Sequence, residues 1–279
     1  MAARHVPPIR REMKTVKGET AVDILSLSRK VEKNRGFKYT GKILTAIGIA
    51  LIMLFIYLSL AKVYPFNWQV VLRYRKLFLI GISVTMKLSA VSILISFALG
   101  LIFAVMKTSK IEFLKDISTM YVWIFRNMPL LVVILLTYYG VGSIFNFPRF
   151  WAAAIALSAF EGAYMTEIIR SGIEAVDSGE IEAAKSLGMS EYHIFSSVVF
   201  PQAVRIALPP LIGQMISLVK DSSLASVIAL NELTMVGRQV GTSSFATFES
   251  YIVIAGIYLL LTSTLSALGR FLERRMRIP

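Results

Sequence analysis

Four ionisable side chains stand where a chain rarely puts charge. Lys87, Glu161, Lys220 and Asp221 lie inside or beside long apolar runs. Glu161 follows 11 uncharged residues, and Gly162-Ala163 beside it would let another helix approach closely. Lys87 has 10 uncharged residues before it and 19 after. A charge in apolar surroundings is costly, so such groups face a bundle interior, a watery cavity or one another. Glu161 and Lys87 could pair as a salt bridge, or Lys87 could snorkel to the outer interface. Alternatively both line a path for a zwitterion, which needs an anionic and a cationic contact. Lys220-Asp221 could neutralise each other or a nearby helix end. With Pro209-Pro210 upstream, they could instead mark a kinked helix that lines a cavity or gate. Glu167 and Arg170, one helical turn apart, read as a structural pair.

Other chemistries are excluded. The chain has no cysteine, so disulfides, thiolate metal sites and cysteine nucleophiles are ruled out. Its two histidines, His5 and His193, leave little for an imidazole metal site. Met86, Met106 and Met215 read as packing or lipid-facing residues. There is no Walker A pattern, so ATP is not expected to bind here as it does in a P-loop protein. The chain is read as a non-enzymatic subunit that holds no cofactor of its own.

The elements that would position these residues are membrane spans. Of 279 residues, 56% are hydrophobic and 17% are charged, with a net charge of +13 and a mean hydropathy of +0.66. Soluble domains average roughly 45–50% apolar and 25% charged residues. That much apolar surface excludes a disordered chain, and a soluble nucleic-acid binder would have nowhere dry to put it. A multi-span membrane protein satisfies both the apolar excess and the basic charge. Uncharged stretches at 43–61, 88–106, 127–148 and 250–269 are full spans, and 150–169 and 206–231 are spans interrupted by charge, which makes six. No signal-peptide cleavage pattern follows the first. On this topology 22 of the 30 Lys and Arg fall on one face, which the positive-inside rule makes cytoplasmic, with both termini inside. Lys62, Arg73, Arg75 and Lys76 conflict with it, and Trp68–Leu77 is expected to lie in the outer interface as an amphipathic helix. The basic tail 1–42 reads as a cytoplasmic segment that touches anionic lipid.

Residues 177–201, DSGEIEAAKSLGMSEYHIFSSVVFP, predict two short helices and a turn. Asp177 would cap the first, with Glu180 completing a capping box. Gly188 falls where a helix end wants a left-handed residue. Ser190 would cap the second helix, and Pro201 would stop it. A first helix this short needs a partner surface. Glu182-Ala183-Ala184, three residues, Gly188, nine residues and Val198-x-Phe200-Pro201 resemble the EAA signature of ABC importer membrane subunits. The similarity is to the polar-amino-acid permease branch. It continues in Gly81-Ile-Ser-Val-Thr85, Arg126-Asn-Met-Pro129-Leu-Leu131, Gly162-Ala163-Tyr164 with Glu167 and Arg170-Ser-Gly172, Leu208-Pro-Pro-Leu211, and Ser217 to Ser226.

The resemblance implies an all-α polytopic protein of the type I ABC importer fold. Residues 81–275 would form the permease core, 1–42 the tail, 43–80 an added helix and outer segment, and 276–279 a C-terminal tail. It implies that Glu182, Ala183, Ala184, Gly188 and Pro201 belong to the loop that couples to an ATPase. Glu161, Lys87, Lys220 and Asp221 are the expected substrate-path residues. The implied partners are two ATP-binding subunits carrying ATP and Mg, a second permease subunit, identical or related, and an extracytoplasmic solute-binding protein. No nucleic acid is expected. Transport would be import of a polar amino acid by alternating access across a bacterial or archaeal plasma membrane, with acidic or amide side chains the first expectation, although Glu161 could equally prefer a basic side chain. The rivals are an ion-coupled secondary transporter without an ATPase, and a membrane scaffold whose basic tail recruits partners.

Overall fold

A computed structural model describes residues 35–276, so most of the basic tail and the last three residues lie outside the described part. Residues 35–66 and 67–276 fall in separate compact units. The first is one helix, α1 (Arg35–Ala61). It is followed by a turn in which Phe66 stacks on Tyr57 at 5.1 Å.

The second unit is a helical bundle with no strand among the described residues. It begins with α2 (Gln69–Arg73) and α3 (Arg75–Lys107). Next come α4 (Glu112–Asn127), α5 (Leu130–Leu135), a π-helical turn (Leu136–Val141) and α6 (Gly142–Ile144). α7 (Arg149–Glu174) leads into the short helices α8 (Ser178–Ser186) and α9 (Glu191–Ile194). A second π turn (Phe195–Val199), α10 (Phe200–Asp221) and a 3-10 segment (Ser222–Ile228) follow. α11 (Leu233–Ser244) and α12 (Thr247–Met276) close the chain.

Among the described residues, five helices are long and apolar enough to cross a membrane. The expected sixth span is a bent pair: α4 and the Leu130–Ile144 segment meet at 106°. The cause is Pro129. It disfavours helical geometry at the residue before it, and Met128 is extended, with φ −103° and ψ 143°. A straight span over 127–148 is therefore corrected to a helical segment, Leu130–Ile144, set at 106° to the helix before it.

Two further expectations change. Trp68–Leu77 is not one interfacial helix. Tyr74 interrupts it, and Arg75, Lys76 and Leu77 form the first turn of α3. α10 runs unbroken through Pro209 and Pro210. Its helical path ends later, where Ala229 takes a left-handed φ of 54°.

α7 is the innermost span, with Ala152, Ala153, Ala154, Ala156 and Leu157 all fully buried. In lipid, helices associate through close packing rather than through hydrophobic drive, so small residues mark the contacts. A Cβ on Gly100 of α3 would stand 2.7 Å from the Met165 Cβ of α7. On Gly172 it would stand 2.8 Å from the Ala207 Cβ and 2.9 Å from the Ala203 carbonyl oxygen of α10. The fully buried Glu232 caps α11, accepting from the Thr234 and Met235 N–H at 2.8 and 2.7 Å and from the Tyr258 hydroxyl at 3.1 Å. Burial pushes its carboxyl above the ordinary range, while those donors pull it back.

Gly172→Val forces overpacking against a backbone oxygen, a cost of about 1–3 kcal/mol. The apparent Tm of the detergent-solubilised protein is expected to fall clearly below wild type. Gly256→Ala, where a Cβ meets open space, should leave it unchanged. Equal Tm values for the two variants would refute the close α7–α10 packing.

Candidate functional site

Glu161 is fully buried on α7. Its Oε2 accepts from the Gln214 side-chain amide of α10 at 2.5 Å. The Asp221 carboxyl at the end of α10 lies beside it. Among the described residues, Glu161 Oε1 meets no N–H or O–H donor, and neither Ser89 Oγ nor Ser92 Oγ of α3 has a partner. The free Oε1 of Glu161 beside a second carboxyl is an arrangement that suits an ammonium or amide group with several N–H bonds to give.

The expected site residues are only partly brought together. Glu161 and Asp221 meet. No ion pair joins Glu161 to Lys87 among the described residues. Lys87 is exposed on α3, because its neighbours Leu88 and Ser89 take the inward face. Lys220 is exposed, while Asp221 is half-buried and turns toward Glu161. Gln214 was not foreseen. Its signal was a polar residue in an apolar run, two helical turns before Asp221 and so on the same face.

Nearer the end of α7, Glu167 gathers three cations. Lys107 pairs with it closely, Arg170 lies at 2.9 Å, and Arg126 lies at 4.0 Å. The Glu167–Arg170 pair was legible from its spacing, whereas Lys107 and Arg126 come from other helices. Arg170 also pairs with Glu174.

The loop after α7 is a built element. Asp177 caps α8 by accepting the Gly179 N–H at 2.7 Å. Glu180 does not complete a capping box; it accepts from the Gln202 amide of α10 instead. α8 ends in a Schellman motif, with Gly188 N–H on the Lys185 carbonyl at 2.9 Å and Met189 N–H on the Ala184 carbonyl at 3.2 Å. Gly188 has φ +77°, as that motif requires. Ser190 caps α9, accepting the His193 N–H at 3.4 Å. Ala184 packs into a small core with Val176, Ile194, Val199 and Ala203. Glu182, Ala183 and Gly188 face outward, and Leu187 and Tyr192 are 82% and 76% exposed.

Pro201 does not stop the second helix. It sits in the first turn of α10, and the preceding π turn, Phe195–Val199, carries the helix past it. Proline has no N–H, and its ring would crowd the carbonyl four residues back. A widened turn makes room for it. Residues Glu191–Ile228 therefore form one 38-residue helical path.

Comparison with known proteins agrees with this geometry. Residues 96–278 match the family described as binding-protein-dependent transport system inner membrane component. The glutamine ABC transporter permease GlnP of Bacillus subtilis, a probable assignment there, is 39% identical over 70% of this chain and 91% of its own length. The arginine transport permease ArtQ of the same organism is 32% identical over 71% and 91%. The nopaline transport permease NocM of Agrobacterium fabrum is 37% identical over 70% and 86%. A crystal structure of an amino acid ABC transporter with histidines superposes with a TM-score of 0.71 at 38% identity, over 75% of this chain and 98% of that one. The inward-facing methionine transporter MetNI, at 18% identity and a TM-score of 0.64, shares the fold. A bundle of five or six spans, a capped helical hairpin after the innermost span, and relatives that are amino-acid permeases agree: the chain belongs to the binding-protein-dependent ABC transporter inner membrane components, as a polar-amino-acid permease.

Proposed function

We propose that this permease imports a polar amino acid whose ammonium group is seated by Glu161, Asp221 and Gln214, and that its 177–201 loop docks on an ATP-binding subunit. The observation that carries the first part is the buried Glu161, with one oxygen bound to Gln214, the other without a donor, and Asp221 alongside. A seat with two carboxyls disfavours an acidic side chain by like-charge repulsion. Of the acidic and amide substrates expected from sequence, the amide is the better fit. A basic side chain is the second reading, for the same reason, and the named relatives include permeases for glutamine and for arginine. Lys87 and Lys220, both exposed, are the proposed cations for the substrate carboxylate along the path.

The coupling role rests on rigidity. A loop transmits force only if it has defined states to push between, and this one has its own core, two caps and a Schellman turn. It presents Glu182, Ala183, Gly188, Leu187 and Tyr192 outward, while Ala184 anchors it and Pro201 begins α10. The path from Glu191 to Ile228 joins this loop to Asp221 without a break, so a pull on the loop would reach the seat. ATP and Mg would be held by two ATP-binding subunits. A second permease subunit and an external solute-binding protein would complete the importer. The excess of Lys and Arg on one face supports a cytoplasmic position for the loop and both termini, and the tail 1–42 would lie near anionic lipid.

Glu161→Gln, in an assembled transporter, should lower uptake efficiency roughly tenfold to a hundredfold, the worth of a charge-assisted hydrogen bond. Unchanged affinity and rate would remove Glu161 from the path. Gly188→Val should abolish substrate-stimulated ATPase activity while the chain still inserts, because a β-branched residue is strained at φ +77°. Retained stimulation with wild-type transport would refute the coupling role. Because the chain has no cysteine, Leu187→Cys gives a clean topology probe. An impermeant thiol reagent should label it only after the membrane is opened, and labelling of sealed right-side-out cells would reverse the proposed orientation.

A further inference from the structure

The cations around Glu167 are unequal. Lys107 and Arg170 contact it closely, whereas Arg126 stands off at 4.0 Å with its side chain 42% exposed. Arg126 has no other carboxylate within reach among the described residues. Its guanidinium lies over the Tyr164 ring, 5.1 Å from the centroid. The five side chains Lys107, Arg126, Arg170, Glu167 and Glu174 together carry a surplus of one positive charge. Beside them opens a cavity of about 390 Å³, lined by Lys107, Trp123, Arg126, Asn127, Tyr164 and Glu167. One wall is the C-terminal end of α4, the helix that meets the Leu130–Ile144 segment at 106°.

That helix carries a second feature. Phe113, Ile117, Met120 and Trp123 are all exposed. Their spacing of four, three and three residues places them on one face. The stripe leads along α4 to Trp123 at the mouth of the cavity. A basic pocket opening onto an apolar stripe, with an indole at the join, suits an amphiphile: a negative head against Arg126 and a chain along α4. A soluble anion would use only the first half of it.

We infer that the Arg126 cavity holds the phosphate of an anionic phospholipid, whose acyl chain lies along the Phe113–Trp123 face of α4. Lys107 ends α3 and Glu167 lies about two turns before the end of α7, so the seat is at the end of the bundle that carries the 177–201 loop. That the lipid comes from the inner leaflet rests on the proposed orientation; the binding itself does not.

The test is native mass spectrometry of the complete transporter in mild detergent, with phosphatidylglycerol and phosphatidylcholine offered together. Retention in detergent is independent of orientation, so failure here and failure of the thiol-labelling experiment are distinguishable. Wild type should retain phosphatidylglycerol about fivefold better, the contribution of one basic residue near a lipid surface, and Arg126→Gln should bring the two lipids to parity. Equal retention by wild type, or an unchanged preference in Arg126→Gln, would overturn the assignment. Should that variant not assemble, competition on wild type decides: lipid that stays bound in a large excess of inorganic phosphate supports the seat, and its displacement reassigns the cavity to a soluble anion. Trp123→Cys checks the stripe. A disulfide between two copies would put a second permease over it and refute the lipid, whereas the absence of a crosslink agrees with it.

Discussion

Met165 comes within 2.7 Å of where a side chain on Gly100 would begin, and that approach sets the positions available to the other helices. Because α3 and α7 pack at backbone range, the small residues of α7 are sealed on several sides at once. α10 then closes on the opposite flank at Gly172. Lipid supplies no solvophobic force to hold helices together, so such contacts must come from shape. A single larger residue at either glycine would separate the elements that enclose Glu161.

The same packing gives a buried carboxyl its meaning. A carboxyl removed from water must be solvated by protein or by ligand. Gln214 satisfies one oxygen of Glu161, and Asp221 arrives from the same helix two turns later. That helix also carries the 177–201 hairpin at its other end, past a π turn that accommodates Pro201. The polar seat and the cytoplasm-facing hairpin of the proposed importer are thus parts of one continuous element. Compactness in the hairpin, where Ala184 and Met189 fold back on their own core, allows that element to be moved as a unit.

Much of the loop was legible because caps are local chemistry. Asp177, Gly188 and Ser190 act through backbone groups within a few residues of themselves, and the structure has all three in those roles. Glu180 was misread because a long-range partner, Gln202, outcompeted the local one. Pro201 was misread because a proline stops a helix only when the preceding turn cannot widen. The bend before Leu130 was encoded by Pro129 yet hidden by an unbroken uncharged run, since hydropathy measures composition and not direction.

The sequence by itself determined that this is a membrane protein, roughly where its spans lie, which family its motifs match, and the form of the hairpin. Those properties follow from apolar run length and from contacts between near neighbours. Which buried charges meet was decided only by tertiary structure. Glu161 has Lys87 as an equally plausible partner on paper, but α3 turns Leu88 and Ser89 inward and leaves Lys87 outside. Asp221 is adjacent to Lys220 in sequence and yet faces Glu161. The rotation of one helix against another depends on where small residues allow approach, and that is a property of the packed bundle rather than of any segment within it.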